Sequence, residues 1–371
     1  MSDFSAADCR HMARALQLAR KGLTTAHPNP RVGCVLVRDD VVVGEGWHRK
    51  TGEAHAEVNA IEAAGARAAG ATAFVTLEPC GHTGKTGPCT EALIRARIAK
   101  VVFAIEDPSV RAGGRARTTL ENAGIEVGSG LMQGEALKLN EGFVMRVRDR
   151  RPFVRLKVAA SMDGATAMRS GQSRWISGEA ARRDVQRLRA MSGALLTGVG
   201  TVLADDPRLT VRESSLVLQP PLRVVVDSRL RTPPAARLLA ESGKTLIFCA
   251  DDSNREPLEK AGATVHRVAS DRGRVALPEV MRELADLEVN DVLIEAGPGL
   301  AGSLLAASLI DELVIYQAPH IMGSETSGMF ATPGWTQLAH RRQLHVVDVR
   351  RVGQDLKITM RPVYLPDSPG H

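Results

Sequence analysis

The alternation of apolar and polar positions divides the chain into two runs of mixed α/β pattern. Within residues 7–22, Met12, Ala15, Leu16 and Ala19 recur at helical spacing, which predicts an amphipathic helix. Residues 32–37 and 41–47 are rich in valine and flank a short Arg38-Asp39-Asp40 turn, the pattern of a β-hairpin. A helix is then expected from about residue 55 to 65, followed by a buried strand at 73–77. Strands at 101–105 and 125–127 alternate with helices at 88–97 and 115–123, and a helix over 135–145 closes this half. A hairpin followed by αβαβ units predicts a mixed sheet between layers of helices.

The pattern restarts after Arg146, Arg148, Arg150 and Arg151, a basic stretch closed by Pro152 that reads as a solvated linker. Two domains are expected, at 1–148 and 149–371. The second begins with a strand at 153–160 and continues with a helix at 179–191. Strands follow at 194–197, 222–226, 245–249 and 264–268, then a helix at 278–287 and a strand at 291–295. After a helix at 300–307, β-rich segments at 312–316, 344–352 and 356–363 predict an α/β domain ending in an antiparallel hairpin.

The chain's 371 residues suit two domains. Aromatic residues make up only 3% of it, so the cores must be aliphatic, and a stacking surface for single-stranded nucleic acid is not expected. The net charge of +6 suits anionic small molecules. Five scattered cysteines do not form a disulfide framework and fit a reducing compartment. With no signal segment and no apolar run near the ~20 residues of a membrane span, the expectation is a cytoplasmic protein without membrane or nucleic-acid partners.

Candidate chemistry concentrates in two places. The first is His55-Ala56-Glu57 with Pro79-Cys80 and Cys89. One imidazole and two thiols form a three-ligand zinc set that leaves a fourth position for water. Glu57, two residues past the histidine, is then available to carry protons, as in the zinc-deaminase signature. The departure from that signature is the long loop of residues 81–88 between the cysteines. The competing reading is a structural zinc with His82 as fourth ligand, but such a site has no use for an acid. His55 and Glu57 fall at one predicted helix start and Cys80 and Cys89 flank the next, where the dipole favours anions.

The second place is Gly297-Pro298-Gly299-Leu300-Ala301-Gly302, which follows a predicted strand and opens a predicted helix. Glycines there let backbone N–H groups approach a phosphate. A dinucleotide-binding Rossmann unit would carry an acid ~20 positions on. Tyr316-Gln317-Ala318-Pro319 supplies none, so a reductase of another topology is favoured, and NADPH is permitted. Three polar clusters accompany the motif: residues 157–164, residues 173–177, and residues 200–207, read as a loop carrying Asp205 and Asp206. Taken alone, Trp175 reads as core and Asp206 as a cap.

Taken together, these residues resemble the bifunctional riboflavin-biosynthesis deaminase/reductases over nearly the whole chain. The likeness rests on residues 27–33 (HPNPRVG), the His-Ala-Glu triplet, residues 76–82 (TLEPCGH) with Cys89, residues 157–164, 173–175 and 201–207, and Glu295-Ala296-Gly297-Pro298. The spacing between the two cysteines is this family's own. The resemblance implies a cytidine-deaminase-like αβα layer domain followed by a dihydrofolate-reductase-like α/β domain. It implies deamination of a diaminopyrimidinone bearing a ribosylamino 5′-phosphate, then reduction of the ribosyl to a ribityl chain by NADPH. His55, Cys80 and Cys89 would bind Zn2+, and Glu57 would carry the proton. Ala159, Trp175, Thr201, Asp205, Ser228 and Gly297, Pro298, Gly299, Leu300, Ala301, Gly302 and Ser303 would line the cofactor. Asn29, His82, Ser173, Arg189, Leu209, Arg212 and Glu295 would meet substrate. Apart from the resemblance, Asp205 reads as the acid that orients or assists hydride transfer, against a structural cap preceding Pro207. A homo-oligomer is compatible with this reading.

Overall fold

The computed structural model describes residues 4–81, 87–109, 114–213 and 219–364. The chain divides into two compact units, Met1–Arg150 and Arg151–His371.

In the first unit the order is α1 (Ala6–Ala19), β1 (Gly33–Arg38), β2 (Val41–Trp47), α2 (Ala56–Ala64), β3 (Thr72–Val75), α3 (Cys89–Arg95), β4 (Lys100–Phe103), α4 (Arg115–Asn122), β5 (Glu126–Ser129), α5 (Gln133–Leu139) and α6 (Glu141–Asp149). A capping box starts α1: the Asp8 N–H donates to Ser5 Oγ at 3.1 Å, and the Ser5 N–H donates to Asp8 Oδ2 at 2.9 Å. The sheet runs β2-β1-β3-β4-β5, antiparallel through β1 and parallel from β3 to β5. Side chains alternate across β1. Cys34 and Leu36 enter a core with α2, α3 and α4, whereas Val35 and Val37 enter the core with α1.

Helix α2 lies directly on the backbone of β2. A Cβ added at Gly46 would stand 2.2 Å from the Ala56 carbonyl oxygen, and one at Gly44 would stand 2.3 Å from that of Ala60. Only glycine allows this approach.

The single helix expected over 135–145 is two helices, broken at Asn140 (φ −117°, ψ 20°). The buried Asn140 amide accepts from the Arg31 N–H at 2.8 Å and donates to the Arg31 carbonyl at 2.9 Å. An Asn side chain that imitates a backbone partner competes with the helix and interrupts it.

The second unit contains β6 (Phe153–Ala160), β7 (Ala165–Met168), α7 (Glu179–Ala190), β8 (Ala194–Gly198), α8 (Val199–Asp205), β9 (Leu222–Val226), α9 (Arg237–Ala240), β10 (Thr245–Cys249), α10 (Glu256–Lys260), β11 (Ala263–Arg267), β12 (Ser270–Asp271), β13 (Arg274–Val275), α11 (Leu277–Asp286), β14 (Asp291–Ile294), α12 (Pro298–Ala306), β15 (Glu312–Gln317), β16 (Thr326–Gly328), β17 (Leu344–Val352) and β18 (Asp355–Pro362). Its main sheet runs β11-β10-β9-β8-β14-β6-β15-β18-β17. The strands from β11 to β15 are parallel, and β18 and β17 add an antiparallel hairpin. A buried polar knot fastens the hairpin to α7. Tyr316 Oη donates to Asp184 Oδ2 at 2.6 Å, and Lys357 Nζ reaches the same oxygen at 2.6 Å. Burial, and then the Asp184 carboxylate, push the Tyr316 phenol well up.

Two expectations are corrected here. Arg151 is not part of a solvated linker: its guanidinium grips Asp311 with two bonds of 2.7 Å, and Asp311 Oδ2 also accepts from the Val154 N–H at 2.8 Å. Residues 200–207 are not wholly a loop, because Val199–Asp205 form α8. Asp206 acts as a cap at a distance: its backbone turns left-handed (φ 42°) and its Oδ1 accepts the Arg237 N–H at the start of α9.

Candidate active sites

In the first unit, three chemistry-bearing side chains converge at two helix starts. His55 is the N-cap of α2, and Cys89 is the first residue of α3. Cys80 lies on the segment that leaves β3. The His55 Nδ1–Cys89 Sγ distance is 3.2 Å and the Cys80 Sγ–His55 Nδ1 distance is 3.5 Å, while the Cys89 N–H donates to Cys80 Sγ at 3.3 Å. All three candidate ligand atoms lie within 4.8 Å of one another. Hydrogen bonding from Cys89 is the main cause that pulls the Cys80 thiol down to about 4, with His55 adding to it. A thiolate, a second thiol and an imidazole gathered at this spacing fit a zinc ion.

Glu57 follows in the first turn of α2 and is 3% exposed. Burial, with the neighbouring Cys80, raises its carboxyl above the usual carboxylate range. Its place in the first turn of α2, two residues past His55, puts it where a proton carrier beside the three ligand candidates is needed. Asn29 Nδ2 stands 3.0 Å from His48 Nε2, and the His48 ring meets that of His55 edge-on at 5.3 Å. Burial keeps the His48 imidazole below its ordinary value. Sequence reasoning missed His48; its position at the end of a strand, shortly before the ligand histidine, was the available signal. His82 lies outside the described residues.

In the second unit the sequence candidates gather at the carboxyl ends of β9, β8, β14 and β6, neighbouring parallel strands of the sheet. Open parallel sheets bind ligands along this edge. Ala159 is near the end of β6, and Ser228 follows β9, where its Oγ accepts the Val275 N–H at 3.1 Å. Thr201 on α8 accepts the Gly297 N–H at 3.2 Å. Asp205 ends α8, where Ser173 Oγ donates to its Oδ1 at 3.4 Å and Arg174 pairs with it at 3.8 Å.

Gly297 caps α12. A Cβ on Gly299 would meet nothing within 4 Å, so its N–H lies in an open helix start that fits a phosphate. The rest of the motif packs inward. Leu300 lies against Gly198, Ala301 is buried in the core, and a Cβ on Gly302 would collide with the Ala331 carbonyl at 2.0 Å. Ser303 Oγ is spent on the Gly299 carbonyl at 2.9 Å. A 3.6-residue period turns these side chains toward protein neighbours, whereas Gly299 stands open at the helix start. Trp175 is not core: it is 66% exposed, with the Arg182 guanidinium 4.7 Å from its ring centre.

Below this edge lies a buried charge cluster. Arg189 holds both oxygens of Glu295, and Lys157 Nζ stands 3.9 Å from Glu295 Oε2. Burial pushes the Glu295 carboxyl up, but Arg189, Lys157 and Arg212 outweigh it and hold it at about 2. Burial lowers the Lys157 ammonium. Lys157 falls in the polar cluster at residues 157–164, and a lysine inside a strand largely built for burial is the signal that sets it apart. The Arg212 N–H donates to Gln186 at 2.9 Å. Leu209 turns its side chain into the core beside Leu188 and Tyr316, with φ 49°, so only its backbone is open to a ligand.

Fold and sites define a two-part enzyme, a zinc-binding deaminase joined to a nucleotide-dependent reductase. The cytidine and deoxycytidylate deaminase zinc-binding region matches residues 5–105, and the RibD C-terminal domain matches residues 152–358. The chain belongs to the RibD family, the bifunctional deaminase/reductases of riboflavin biosynthesis, with a zinc-binding deaminase domain and an NADPH-dependent reductase domain. It is 46% identical to riboflavin biosynthesis protein RibD of Escherichia coli (strain K12), over 93% of this chain and 97% of that one. The RibD structure of Acinetobacter baumannii superimposes with a TM-score of 0.91 at 41% identity, covering 96% of this chain and 99% of that one. A diaminohydroxyphosphoribosylaminopyrimidine deaminase/5-amino-6-(5-phosphoribosylamino)uracil reductase from Thermotoga maritima gives 0.85 at 32% identity, with the same coverage. The cytidine-deaminase-like and dihydrofolate-reductase-like folds expected from the sequence are those of the family.

Proposed function

We propose that the Met1–Arg150 unit deaminates 2,5-diamino-6-ribosylamino-4(3H)-pyrimidinone 5′-phosphate, and that the Arg151–His371 unit reduces the ribosyl of the product with NADPH. The observation that carries the deaminase half is a buried Glu57 beside the His55–Cys80–Cys89 cluster. His55, Cys80 and Cys89 would hold a zinc ion, which would supply the Lewis acidity that activates water for attack. Glu57 receives the proton at its carboxylate, passes it to the pyrimidine ring nitrogen, and a second transfer delivers a proton to the departing ammonia. Asn29 and His48, joined at 3.0 Å, form the polar wall that orients the ring.

In the reductase half, NADPH would supply the hydride, and the open helix start at Gly299 and Leu300 would hold one of its phosphates. Thr201 fixes the Gly297 cap, and Trp175 offers an exposed face beside Arg182. The substrate rests over Arg189, Glu295 and Lys157. Lys157 and Glu295 place a proton donor and its counter-charge where reduction of the opened ribose leaves a nitrogen or oxygen to be protonated. Asp205, engaged by Ser173 and Arg174, holds the Ser173–Trp175 segment across the cofactor. Product analysis with and without NADPH tests the whole reading. Ammonia release must not need NADPH, and NADPH oxidation must follow deamination. NADPH oxidation on the undeaminated substrate at an equal rate would overturn the order.

A further inference from the structure

Helix α7 begins without a cap of its own. Its N-cap is Gly178, which has no side chain to accept the orphan N–H groups of the first turn. The acceptor comes from 177 residues further along the chain. Asp355, the first residue of β18, is fully buried, and its Oδ2 accepts the Gly178 N–H at 2.7 Å. Its Oδ1 is buried as well and meets no donor among the described residues. A buried carboxylate with an unbonded oxygen is unfavourable, and the positive end of a twelve-residue helix offsets part of that cost. The turn before Asp355 seals the contact. A Cβ on Gly178 would meet the Gln354 side chain at 3.2 Å, and one on Gly353, whose φ is 65°, would stand 2.7 Å from the Ala180 Cβ.

Residues 173–177 run directly into Gly178, and a carboxylate holds each end of this segment. Asp205 engages Ser173 and Arg174, and Asp355 holds the other end through Gly178. Between them stands the exposed Trp175, whose ring meets the Arg182 guanidinium. Arg182 lies one turn into α7, where its N–H donates to the Gly178 carbonyl at 3.1 Å and its Nη1 donates to the Ser177 carbonyl at 2.6 Å. An exposed ring held by a cation takes its orientation from that cation. The place of Arg182 is set by the start of α7, and that start is set by Asp355. A cap for helix stability alone is ordinarily a local Ser, Thr, Asn or Asp. A cap drawn from a distant strand also fixes where the helix stands on the sheet.

We propose that Asp355 is a positioning residue of the reductase: by closing the start of α7 it sets Arg182, and Arg182 turns the face of Trp175 toward NADPH. Fully buried, Asp355 acts through the helix and not by contact with the cofactor. The inference rests on the reading of Trp175 as part of the cofactor wall, and a Trp175 variant separates the two.

Calorimetric titration of the full chain with NADPH tests this, together with the fluorescence anisotropy of Trp175 in the absence of cofactor. For the second measurement Trp47→Phe and Trp335→Phe leave Trp175 alone among the chain's three tryptophans. Trp175→Ala should weaken NADPH binding about tenfold. Asp355→Ala should weaken it to a similar extent and lower the anisotropy of Trp175. The double variant Asp355→Ala/Trp175→Ala should bind no more weakly than Trp175→Ala, because groups acting in one line are not additive. Asp355→Asn keeps an acceptor for the Gly178 N–H and should bind within about threefold of the wild type. Circular dichroism verifies folding. Should Asp355→Ala misfold, Arg182→Ala breaks the same line at a half-buried side chain and should show the same loss, the same fall in anisotropy and the same lack of additivity. Wild-type binding by Trp175→Ala would overturn the cofactor reading of that ring, and the inference with it. Weakened binding there beside wild-type binding in a folded Asp355→Ala, additive losses in the double variant, an Asp355→Asn variant as weak as Asp355→Ala, or an Arg182→Ala variant like the wild type would each overturn the inference alone.

Discussion

Arg189 holds Glu295 in a two-pronged ion pair, Nε to Oε1 at 2.6 Å and Nη2 to Oε2 at 3.0 Å. The pair joins α7 to the end of β14, so the carboxylate serves the fold as well as the site. Its pKa is held at about 2, against an ordinary 4.5. A depressed carboxyl contributes stability that is fully present above the unfolded pKa and is lost as pH falls through the folded one. The contribution should therefore disappear between about pH 4.5 and pH 2, on the order of 2–3 kcal/mol. Thermal unfolding as a function of pH checks this. The wild type should lose stability more steeply than Glu295→Gln over that window. Parallel curves would remove Glu295 from the acid response.

Glu57→Gln should keep its metal and lose deamination by about 10²–10⁴-fold. Reduction of substrate supplied already deaminated should stay at the wild-type rate. Ammonia release by the variant at wild-type speed would take the proton-carrying role from Glu57.

Metal analysis should find one zinc per chain. Stripping it with a chelator should abolish ammonia release and leave NADPH oxidation on the deaminated intermediate intact, because His55, Cys80 and Cys89 all belong to the first unit. Equal loss of both activities would contradict that division of labour.

The glycines of the 297–302 motif should behave differently from one another. Gly299→Val projects into open space at the helix start and should raise the KM for NADPH at least tenfold by blocking a phosphate. Gly302→Ala collides with the Ala331 carbonyl and should instead destabilise the fold by about 1–3 kcal/mol. Cofactor titration and thermal melts separate the two effects. A Gly299→Val variant with unchanged KM would move the phosphate elsewhere.

Asp205→Asn and Glu295→Gln separate the two acids of the reductase edge. Because Asp205 is tied to Ser173 and Arg174, its variant should chiefly raise the KM for cofactor. Glu295→Gln should chiefly lower kcat. A reversed pattern, read from steady-state kinetics at fixed pH, would make Asp205 the proton-transfer group.

The zinc set could be read from the sequence because few arrangements of histidine, cysteine and glutamate make chemical sense in any other way. Strands such as Thr245–Cys249 were equally plain, since buried parallel strands are near-continuous apolar runs. What escaped depended on contacts from far along the chain. Nothing near Asn140 announces that its amide will bind Arg31, and so the break between α5 and α6 was invisible. Trp175 looked like core because aromatics usually are, but its exposure is decided by what packs around it. Lys157 is hidden in an apolar strand, and only the approach of Glu295 and Arg189 gives its charge a purpose.

The contact of α2 with β2 through Gly44 and Gly46 bears on how this enzyme can change over generations. The helix that presents His55 and Glu57 rests on main chain, and main chain does not vary when a core valine becomes isoleucine. Elsewhere the helix meets aliphatic side chains, whose shapes can be exchanged for others of similar volume. A single methyl at position 46 has no such latitude, since it would press on the Ala56 carbonyl between those two residues. The deaminase centre thus depends on two positions, 44 and 46, that carry no side chain at all.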